Sequence, residues 1–252
     1  MAKKKSTTGA STFEIPNLLG LLTIPGRKGI HEEELEIVDI EEDDSANSSG
    51  QICPTNGDSF EKIFSDAVDC KACSLYITRT NVVLGEGSVT SPLVFIGEAP
   101  GADEDETGRP FVGRAGQHLD KILSAAGFLR EQVYICNILK DRPPDNRAPT
   151  TQEMVACTPF LRRQLALIRP KIIALLGNTA IKYVIGPDSP GITKIHGQWM
   201  NSIFDIPCMP LYHPSYLLRY ASREKGSPNW QMWQDIQALK KRYDEIVAEE
   251  NE

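Results

Sequence analysis

Four short apolar runs, separated by stretches with helical spacing, constrain the fold of this chain more than any other feature. The runs lie at 92–98, 132–139, 171–177 and in "IPCMPLYHP" at 206–214. Runs of strand length that are apolar throughout are typical of strands buried on both faces, as in a parallel sheet. Strands that alternate with helices place helices on both faces of such a sheet. We therefore predict an α/β protein, three-layer α/β/α, with a central four-stranded, mainly parallel sheet.

Three long helices and one hairpin are expected around this sheet. The helices cover 117–127, 151–170 and 229–247, where apolar residues recur three and four positions apart. The second of them should end at Pro170, because proline cannot continue a helix. The segment "ITKIHGQWMNSIF" at 192–204 is interpreted as the hairpin.

Composition limits the class of protein. The chain has 252 residues, of which 40% are hydrophobic, as in globular proteins. No apolar run approaches the roughly 18 residues of a membrane-spanning helix. The start "MAKKKSTTGAS" is basic but has no apolar stretch after it, which argues against a secretory signal. We expect a cytoplasmic monomer that does not associate with membranes.

The net charge of −7 is unevenly distributed. Residues 1–58 contain 5 Lys and Arg against 11 Asp and Glu, a net charge of −6. Residues 59–252 therefore contain 22 Lys and Arg against 23 Asp and Glu, a net charge of −1. The first segment has little periodic apolar signal, so we expect a disordered acidic tail over 1–58 and a folded domain over 59–252. Because the domain is nearly neutral, the acidity does not exclude a nucleic-acid partner.

Three segments directly follow predicted strands, where the ligand crevice of a parallel sheet lies. The first is the glycine-rich "GEAPGADEDETGRPFVG" at 97–113, either a ligand-binding loop or a surface loop with solvated acids. Within it, Phe111 would be exposed unless it stacks on a ligand. Asn137 ends the second strand, where a lone Asn is often only a backbone cap. His213, fixed by Pro214 after the last strand, is expected to point into the crevice.

The turn after His213 has the composition of a DNA-contacting loop. Leu217 and Leu218 lie beside Arg219 and Arg223. An exposed leucine pair flanked by arginine resembles the apolar wedges that separate stacked bases. The alternative for either leucine is packing against the core.

Cys70 and Cys73 stand two residues apart in "DCKACSLY". In a reducing compartment this spacing indicates a metal or redox site rather than a structural disulfide. A four-coordinate site needs two further ligands.

Together these motifs resemble the iron–sulfur uracil-DNA glycosylases of family 4, within the uracil-DNA glycosylase superfamily. The resemblance covers about residues 66–245 and rests on the cysteine pair, "GEAPG.DED..GRPFVGRAG", "VYICN", "RPP.NR", Cys157 and "HPSYLL", in that order. It implies a DNA-repair hydrolase that cleaves the N-glycosidic bond of uracil in single- or double-stranded DNA and leaves an abasic site. The base must leave the stack to reach the pocket.

The resemblance also implies roles for the residues at the strand ends. His213 would donate a hydrogen bond to uracil O2 as negative charge develops there. Asn137 would accept from N3–H and donate to O4, a pattern opposite to that of cytosine. Phe111 would stack on the base. Glu98, Ala99 and Pro100 would line the pocket.

The resemblance leaves one role open and also names the residues that would contact DNA. Either Glu98 or Glu104 would position the attacking water. The residues expected to contact DNA are Leu217, Leu218, Arg219 and Arg223.

In this family four cysteines hold a [4Fe–4S] cluster, and three of them match Cys70, Cys73 and Cys157. The fourth, just before "RPP", is Asp141 here. We therefore predict a [4Fe–4S] cluster with Asp141 as a weaker oxygen ligand at one iron, or water there. Cys136 adjoins Asn137 on a strand and should face the opposite way, as a buried core thiol. Cys53 and Cys208 are expected to be bystanders.

Three alternatives belong to other classes. One is a non-catalytic module that binds uracil-containing or single-stranded DNA, and another is a zinc site at the cysteines. The third is a relative that traps DNA covalently through a histidine after the Asn137 strand, but the loop "KDRPPDNRAPT" contains none.

Overall fold

A six-stranded sheet forms the centre of the computed structural model, which describes residues 57–250. Its strands are β1 (Glu86–Gly87), β2 (Leu93–Gly97), β3 (Tyr134–Asn137), β4 (Ile172–Leu176), β5 (Met200–Asn201) and β6 (Pro207–Leu211). They lie in the order β1-β3-β2-β4-β6-β5. The four longer strands are parallel, and β1 and β5 pair antiparallel at the two edges.

The predicted parallel strands are confirmed, but the predicted strand number of four is wrong. The two additional strands have two residues each, too short for an apolar pattern to indicate them. β5 comes from the segment interpreted as a hairpin, and it pairs with β6 instead, with Met200 opposite Cys208. Every residue of β2, β3 and β4 is buried, so helices cover both faces of the sheet.

Eight helices flank this sheet in the described part of the chain. They are α1 (Phe60–Asp69), α2 (Ala102–Thr107), α3 (Arg114–Ala125), α4 (Thr151–Ile168), α5 (Asn178–Val184), α6 (Ile192–Ile195), α7 (Pro214–Leu217) and α8 (Pro228–Glu250). A capping box starts α4, in which Thr150 Oγ1 accepts from Glu153 N–H at 3.2 Å and Glu153 Oε2 from Thr150 N–H at 2.8 Å. The helix ends at Ile168, two residues earlier than predicted, and Arg169 follows with φ 53° just before Pro170. None of the helices between residues 57 and 250 has the length and apolar character needed to cross a membrane.

Buried apolar side chains form two clusters. The larger cluster covers the sheet and includes Phe95, Ile135 and Leu175. The smaller cluster lies where α1 packs on α4 and contains Ile63, Ala67, Leu75 and Cys157, with Cys70 and Cys73 packed against it. The cysteines of the predicted metal site are therefore gathered beside a core separate from the one under the cleft.

Asp58, assigned by sequence to the tail, forms part of the fold. Its side chain is 3% exposed, and both carboxylate oxygens accept from Nε of Arg163 on α4, at 2.9 and 3.1 Å. Ser59 then caps α1 by accepting from Lys62 N–H at 3.1 Å. The rest of the predicted tail, residues 1–56, lies outside the described residues.

Candidate active site

A cleft of about 560 Å³ opens where β2, β3, β4 and β6 end. It lies at the carboxyl edge of the parallel strands, where doubly wound folds bind their ligands. All of the residues predicted to bind or attack the substrate line it: Glu98, Ala99, Pro100, Glu104, Phe111, Asn137 and His213. Arg219, one of the predicted DNA contacts, lies at the same cleft.

Asn137 and Phe111 are brought together over a glycine. Asn137 lies opposite Gly97 across the β2–β3 pair. A Cβ at position 97 would overlap both Oδ1 of Asn137 and the ring of Phe111, so only glycine leaves room for the two side chains. Phe111 is buried, and its ring centre is 6.0 Å from that of His213. The aromatic ring, the amide and the imidazole thus share one end of the cleft.

The amide oxygen of Asn137 has no protein partner. The residue is 2% exposed, and Oδ1 is buried without a hydrogen bond to any described residue. A buried polar atom without a partner costs about 1–3 kcal/mol, so such atoms in native proteins call for an explanation. A ligand that donates a hydrogen bond in the cleft would supply one.

His213 is held as a neutral imidazole with a defined tautomer. Burial lowers its pKa to about 4, so the ring is uncharged at neutral pH. The backbone N–H of Ser215 donates to Nδ1 at 3.2 Å, and Ser215 Oγ lies 2.7 Å from the same atom. A backbone N–H can only donate, so Nδ1 accepts and the ring proton resides on Nε2. Nε2–H makes no hydrogen bond within residues 57–250 and remains available as a donor.

The two candidate carboxylates differ in how their oxygens are used. Oε1 of Glu104 accepts from the N–H groups of Val112 and Gly113 at 2.9 and 2.8 Å, and Oε2 accepts from Gly101 N–H at 3.0 Å. Glu104 therefore ties together the two ends of the glycine-rich loop. Glu98 instead accepts from the hydroxyl of Thr179 through Oε2, and its Oε1 has no partner among the described residues.

The predicted leucine pair is divided between core and surface. An exposed pair was expected, but Leu217 is 1% exposed and belongs to the larger core cluster, whereas Leu218 is 43% exposed. The reason is the short helix α7, which packs against α3, turns Leu217 into the larger core cluster and leaves its successor outside. Only Leu218 is at the surface in this conformation.

Aromatic rings hold the turn after β6. Tyr212 and Tyr216 stack with ring centres 5.5 Å apart, and Tyr220 follows at 4.8 Å from Tyr216. The guanidinium of Arg219 lies 5.3 Å from the Tyr216 ring centre. Stacked rings limit the motion of the turn that carries Leu218 and Arg219.

Sequence reasoning missed other residues of the cleft. Thr179 follows β4, the one parallel strand whose end was not considered, and that position was the available signal. Arg147 also lines the cleft and pairs with Glu153, and this contact lowers the Glu153 pKa to about 2. No pattern in the sequence indicates that pair.

The predicted cluster ligands lie close to one another. Cys70 caps the end of α1, Cys73 precedes a 3₁₀ turn at Ser74–Ile77, and Cys157 lies in α4. Burial raises the pKa of Cys157 to about 12. Burial also raises the pKa of Cys73, and the negative charges of Asp141 and Cys70 raise it further. A bound metal ion would compensate the charge of the thiolates and lower these pKa values. Of the thiols expected to stand apart, Cys136 and Cys208 are buried in the larger cluster, and Cys53 lies outside the described residues.

Asp141 is already engaged by an arginine. Both of its carboxylate oxygens accept from Nη1 of Arg79, at 2.9 and 3.1 Å, and Arg79 is anchored in turn on the carbonyl of Val68. Burial raises the pKa of Asp141 more than Arg79 lowers it. No three His, Cys, Asp or Glu side chains between residues 57 and 250 are arranged to hold a single metal ion. A four-iron cluster takes one ligand per iron, and the three thiols supply the donor chemistry for three irons.

A five-residue segment, 137–141, joins the cleft to the cysteines. Its first residue, Asn137, faces the cleft, and its last is Asp141. Between them Lys140 is buried, with Nζ donating to the carbonyl of Asn137 at 2.7 Å and its backbone N–H donating to Cys157 Sγ at 3.3 Å. Burial lowers the Lys140 pKa, against the opposing influence of Cys136 and Cys157.

Comparison with known proteins points to one group. The uracil DNA glycosylase superfamily matches residues 84–237. The type-4 uracil-DNA glycosylase of Thermotoga maritima is 48% identical over 155 residues, which are 62% of this chain and 81% of that protein. The type-4 uracil-DNA glycosylase of Sulfurisphaera tokodaii is 44% identical over 168 residues, 64% of this chain and 76% of the relative. The type-4 uracil-DNA glycosylase of Archaeoglobus fulgidus is 39% identical over 170 residues, which are 64% of this chain and 84% of that protein.

Proposed function

The chain belongs to the type-4 uracil-DNA glycosylases of the uracil-DNA glycosylase superfamily, and from this we infer that it removes uracil from DNA in repair. It is a hydrolase: the bond between C1′ of the deoxyribose and N1 of uracil breaks, water adds at C1′, and an abasic site remains. The observation that carries this function is the buried, unpartnered amide oxygen of Asn137 in the cleft. The target base has to be extruded from the helix to reach it.

We propose that Asn137 reads the base. Its free Oδ1 would accept from uracil N3–H, and its NH₂ group would donate to O4. Cytosine offers an acceptor at N3 and a donor at C4, so both contacts would be lost. The ring of Phe111, beside the same amide, would cover the face of the base.

His213 would stabilise the departing uracil. When the glycosidic bond breaks, its electron pair goes to the base, and negative charge develops on the ring oxygens. The neutral imidazole with its proton on Nε2 is a preorganised donor for O2. No proton transfer is needed, because a hydrogen bond suffices to stabilise the charge.

We assign the water-positioning role to Glu98 and a loop-holding role to Glu104. Both carboxylate oxygens of Glu104 already accept hydrogen bonds, from three backbone N–H groups. Glu98 retains one free oxygen toward the cleft and is oriented by Thr179. That oxygen would orient the water and stabilise the positive charge that develops on the sugar. On the DNA side, Leu218 would fill the space left by the extruded base, with Arg219 near the backbone.

We also propose that Cys70, Cys73 and Cys157 hold an iron–sulfur cluster. When bound, such a cluster supplies iron–thiolate bonds that tie α1, the 3₁₀ turn and α4 together. Asp141 would serve the fourth iron only by sharing its carboxylate with Arg79, which makes that iron the labile one. Anaerobically purified protein should contain iron and sulfide, and Asp141→Cys should retain its brown absorbance longer in air. Protein with neither iron nor sulfide would exclude the cluster and leave zinc or no metal.

Uracil release under single-turnover conditions tests the function. Excess protein is incubated with an oligonucleotide that contains one uracil, and with a control in which thymine replaces it. Uracil is expected to be released from the first and no base from the second. Binding of the uracil oligonucleotide without release, even at high excess of protein, would favour the non-catalytic DNA-binding module.

A further inference from the structure

A second concave surface lies next to the active-site cleft, between α3 and the start of α8. We call it the tryptophan groove, and it is lined chiefly by Trp230, Trp233, His118, Lys121, Ile122 and Arg223. Its volume is about 480 Å³, and it shares no lining residue with the cleft. Apart from Arg223, which the sequence predicts to contact DNA, none of its residues has a role assigned so far.

An exposed aromatic residue is the first notable feature of this groove. The side chain of Trp233 is 40% exposed on α8, and Trp230 is partly buried one turn before it. The exposure of one indole is not unusual by itself, but here two tryptophans line one concave surface together with Ile122. The flat apolar face of an indole is suited to a flat apolar partner.

Positive charge is the second feature. Neither Lys121 nor Arg223 forms an ion pair with any residue between 57 and 250. Both lie near His118, since burial and then their two charges lower the pKa of this histidine. Nε2 of His118 is buried without a hydrogen-bond partner in the described chain. Asp120, the acidic neighbour of Lys121, is paired with Arg130 at 2.6 Å and does not offset these charges.

The loop that carries Arg223 is held in place at this groove. Nδ2 of Asn229 donates to the carbonyl of Tyr220 at 2.7 Å and to that of Ser222 at 3.2 Å. Arg223 is therefore presented by a fixed segment between α7 and α8. In a molecule with a net charge of −7, two unpaired cations beside a tryptophan define a local site for an anionic, aromatic ligand.

The groove continues the cleft along the same two elements. On α3, Ala115 lines the cleft and Ile122 lines the groove; seven residues of helix span about 10 Å. After β6, Arg219 lines the cleft and Arg223 the groove.

We propose that the tryptophan groove binds single-stranded DNA beside the uracil nucleotide. An unpaired base stacks on Trp233, and Lys121 and Arg223 contact the neighbouring phosphates. Stacking on an aromatic residue within a positive groove is the general mode of binding single strands, whereas a duplex keeps its bases stacked and paired inside the helix. The proposal rests on the proposed function, because it takes DNA as the substrate.

Binding to uracil-free DNA tests the groove without catalysis. The affinity for a labelled single strand and for the duplex of the same sequence is measured by fluorescence anisotropy. Trp233→Ala should weaken single-strand binding by roughly 5- to 100-fold, as loss of one stacking aromatic residue does, and change duplex binding less than about twofold. Trp233→Phe should restore most of the affinity. Trp199→Ala is the matched control, because Trp199 is 44% exposed outside the groove, and it should bind as wild type does.

A second measurement does not depend on the folding of a Trp233 variant. The chain has three tryptophans, so in Trp199→Phe the two that remain both line the groove. Saturation with the single strand should quench their emission, and the duplex should not. Equal quenching by both DNAs, or wild-type affinity of Trp233→Ala for the single strand, would overturn the proposal.

The experiments distinguish failure of the groove proposal from failure of the proposed function. If uracil is released but the Trp233 variants bind single strands normally, the groove is not a DNA site and the glycosylase assignment stands. If no uracil is released but the groove discriminates single strands as described, the enzymatic function fails and the groove stands.

Discussion

At the scale of single residues, the cleft is built from polar groups left incompletely paired. Asn137 keeps a buried oxygen without a partner, and His213 is desolvated as a neutral ring. Both arrangements oppose folding, by the cost of unmade hydrogen bonds and of a depressed pKa. They leave donors and acceptors fixed for a ligand, so that no reorganisation is needed when charge develops.

We expect Asn137→Ala to slow uracil release by about 10²–10³-fold, since loss of one preorganised partner at a reacting group costs that much. The variant should stay folded, because the lost oxygen has no partner in the protein. Single-turnover rates at saturating protein measure the effect. Asn201→Ala, on the exposed edge strand β5, is the control and should be unchanged. A near wild-type rate for Asn137→Ala would remove Asn137 from the base-reading role.

The second residue-scale prediction concerns pH and stability. His213 titrates near 4 when folded, against about 6.5 when unfolded, so between these values only the unfolded chain gains the proton. The folded state should therefore lose stability as the pH falls from 6.5 to 4, by at most about 3 kcal/mol. His213→Ala lacks this contribution. Urea unfolding of both proteins across this range should show that the wild-type protein loses stability relative to His213→Ala as the pH falls. A difference in unfolding free energy that does not change with pH would contradict the depressed pKa.

At the scale of elements, the glycine-rich loop is pressed against helix α3. Phe111 adopts a left-handed conformation with φ 51°, which is unfavourable for a residue with a side chain. A Cβ at Gly116, in the first turns of α3, would overlap the carbonyl of Phe111. The loop keeps its strained conformation because helix and loop backbones are in contact and Glu104 ties its ends.

Gly116→Ala should therefore displace the loop. We expect the free energy of unfolding to fall by about 2–4 kcal/mol and uracil release to be lost, although alanine is the better helix former. Ser124→Ala, at an exposed position of the same helix, is the matched control and should be close to neutral. Chemical denaturation and base release on both variants provide the measurement. Full activity of Gly116→Ala would show that the loop position is not critical.

The elements that could be predicted from sequence are those whose signal is local. The four parallel strands are largely apolar because both of their faces are buried. Asn137 and His213 could be placed because they stand at or just after strand ends, and Phe111 because its loop follows another strand. The strands β1 and β5 could not be predicted, since two residues carry no period. The inward turn of Leu217, the Arg79–Asp141 pair and the tryptophan groove depend on contacts between distant segments, which no local pattern indicates.

At the scale of the whole molecule, Asp58 belongs to the fold although the sequence predicts it in the tail. The ion pair of Asp58 with Arg163 connects the start of the described chain to α4, 105 residues later. Before it, residues 1–56 contain 5 Lys and Arg against 10 Asp and Glu, a net charge of −5. We propose that this segment is not required for catalysis on short DNA and that the folded domain begins at 57.

A chain that begins at Gly57 should fold and release uracil at the wild-type rate or slightly faster. Any gain should be confined to low salt, because the removed charge repels phosphates and salt screens it. Asp58→Ala in the full chain should behave differently and lower the free energy of unfolding by about 1–3 kcal/mol. Base release at two salt concentrations and urea unfolding test both. A truncated chain that does not fold would place part of 1–56 inside the domain.

The 137–141 segment has a consequence for how the two sites influence each other. Its two ends lie in different sites, and Lys140 fixes both the Asn137 carbonyl and the Cys157 sulfur. Because only three residues separate the two ends, we propose that this segment couples the two sites. Thermodynamic reciprocity then requires that whatever the cysteines bind and whatever the cleft binds change each other's affinity by the same factor. Free uracil in the cleft should raise the equilibrium affinity for iron in competition with a chelator, and iron-depleted protein should bind uracil more weakly by the same factor.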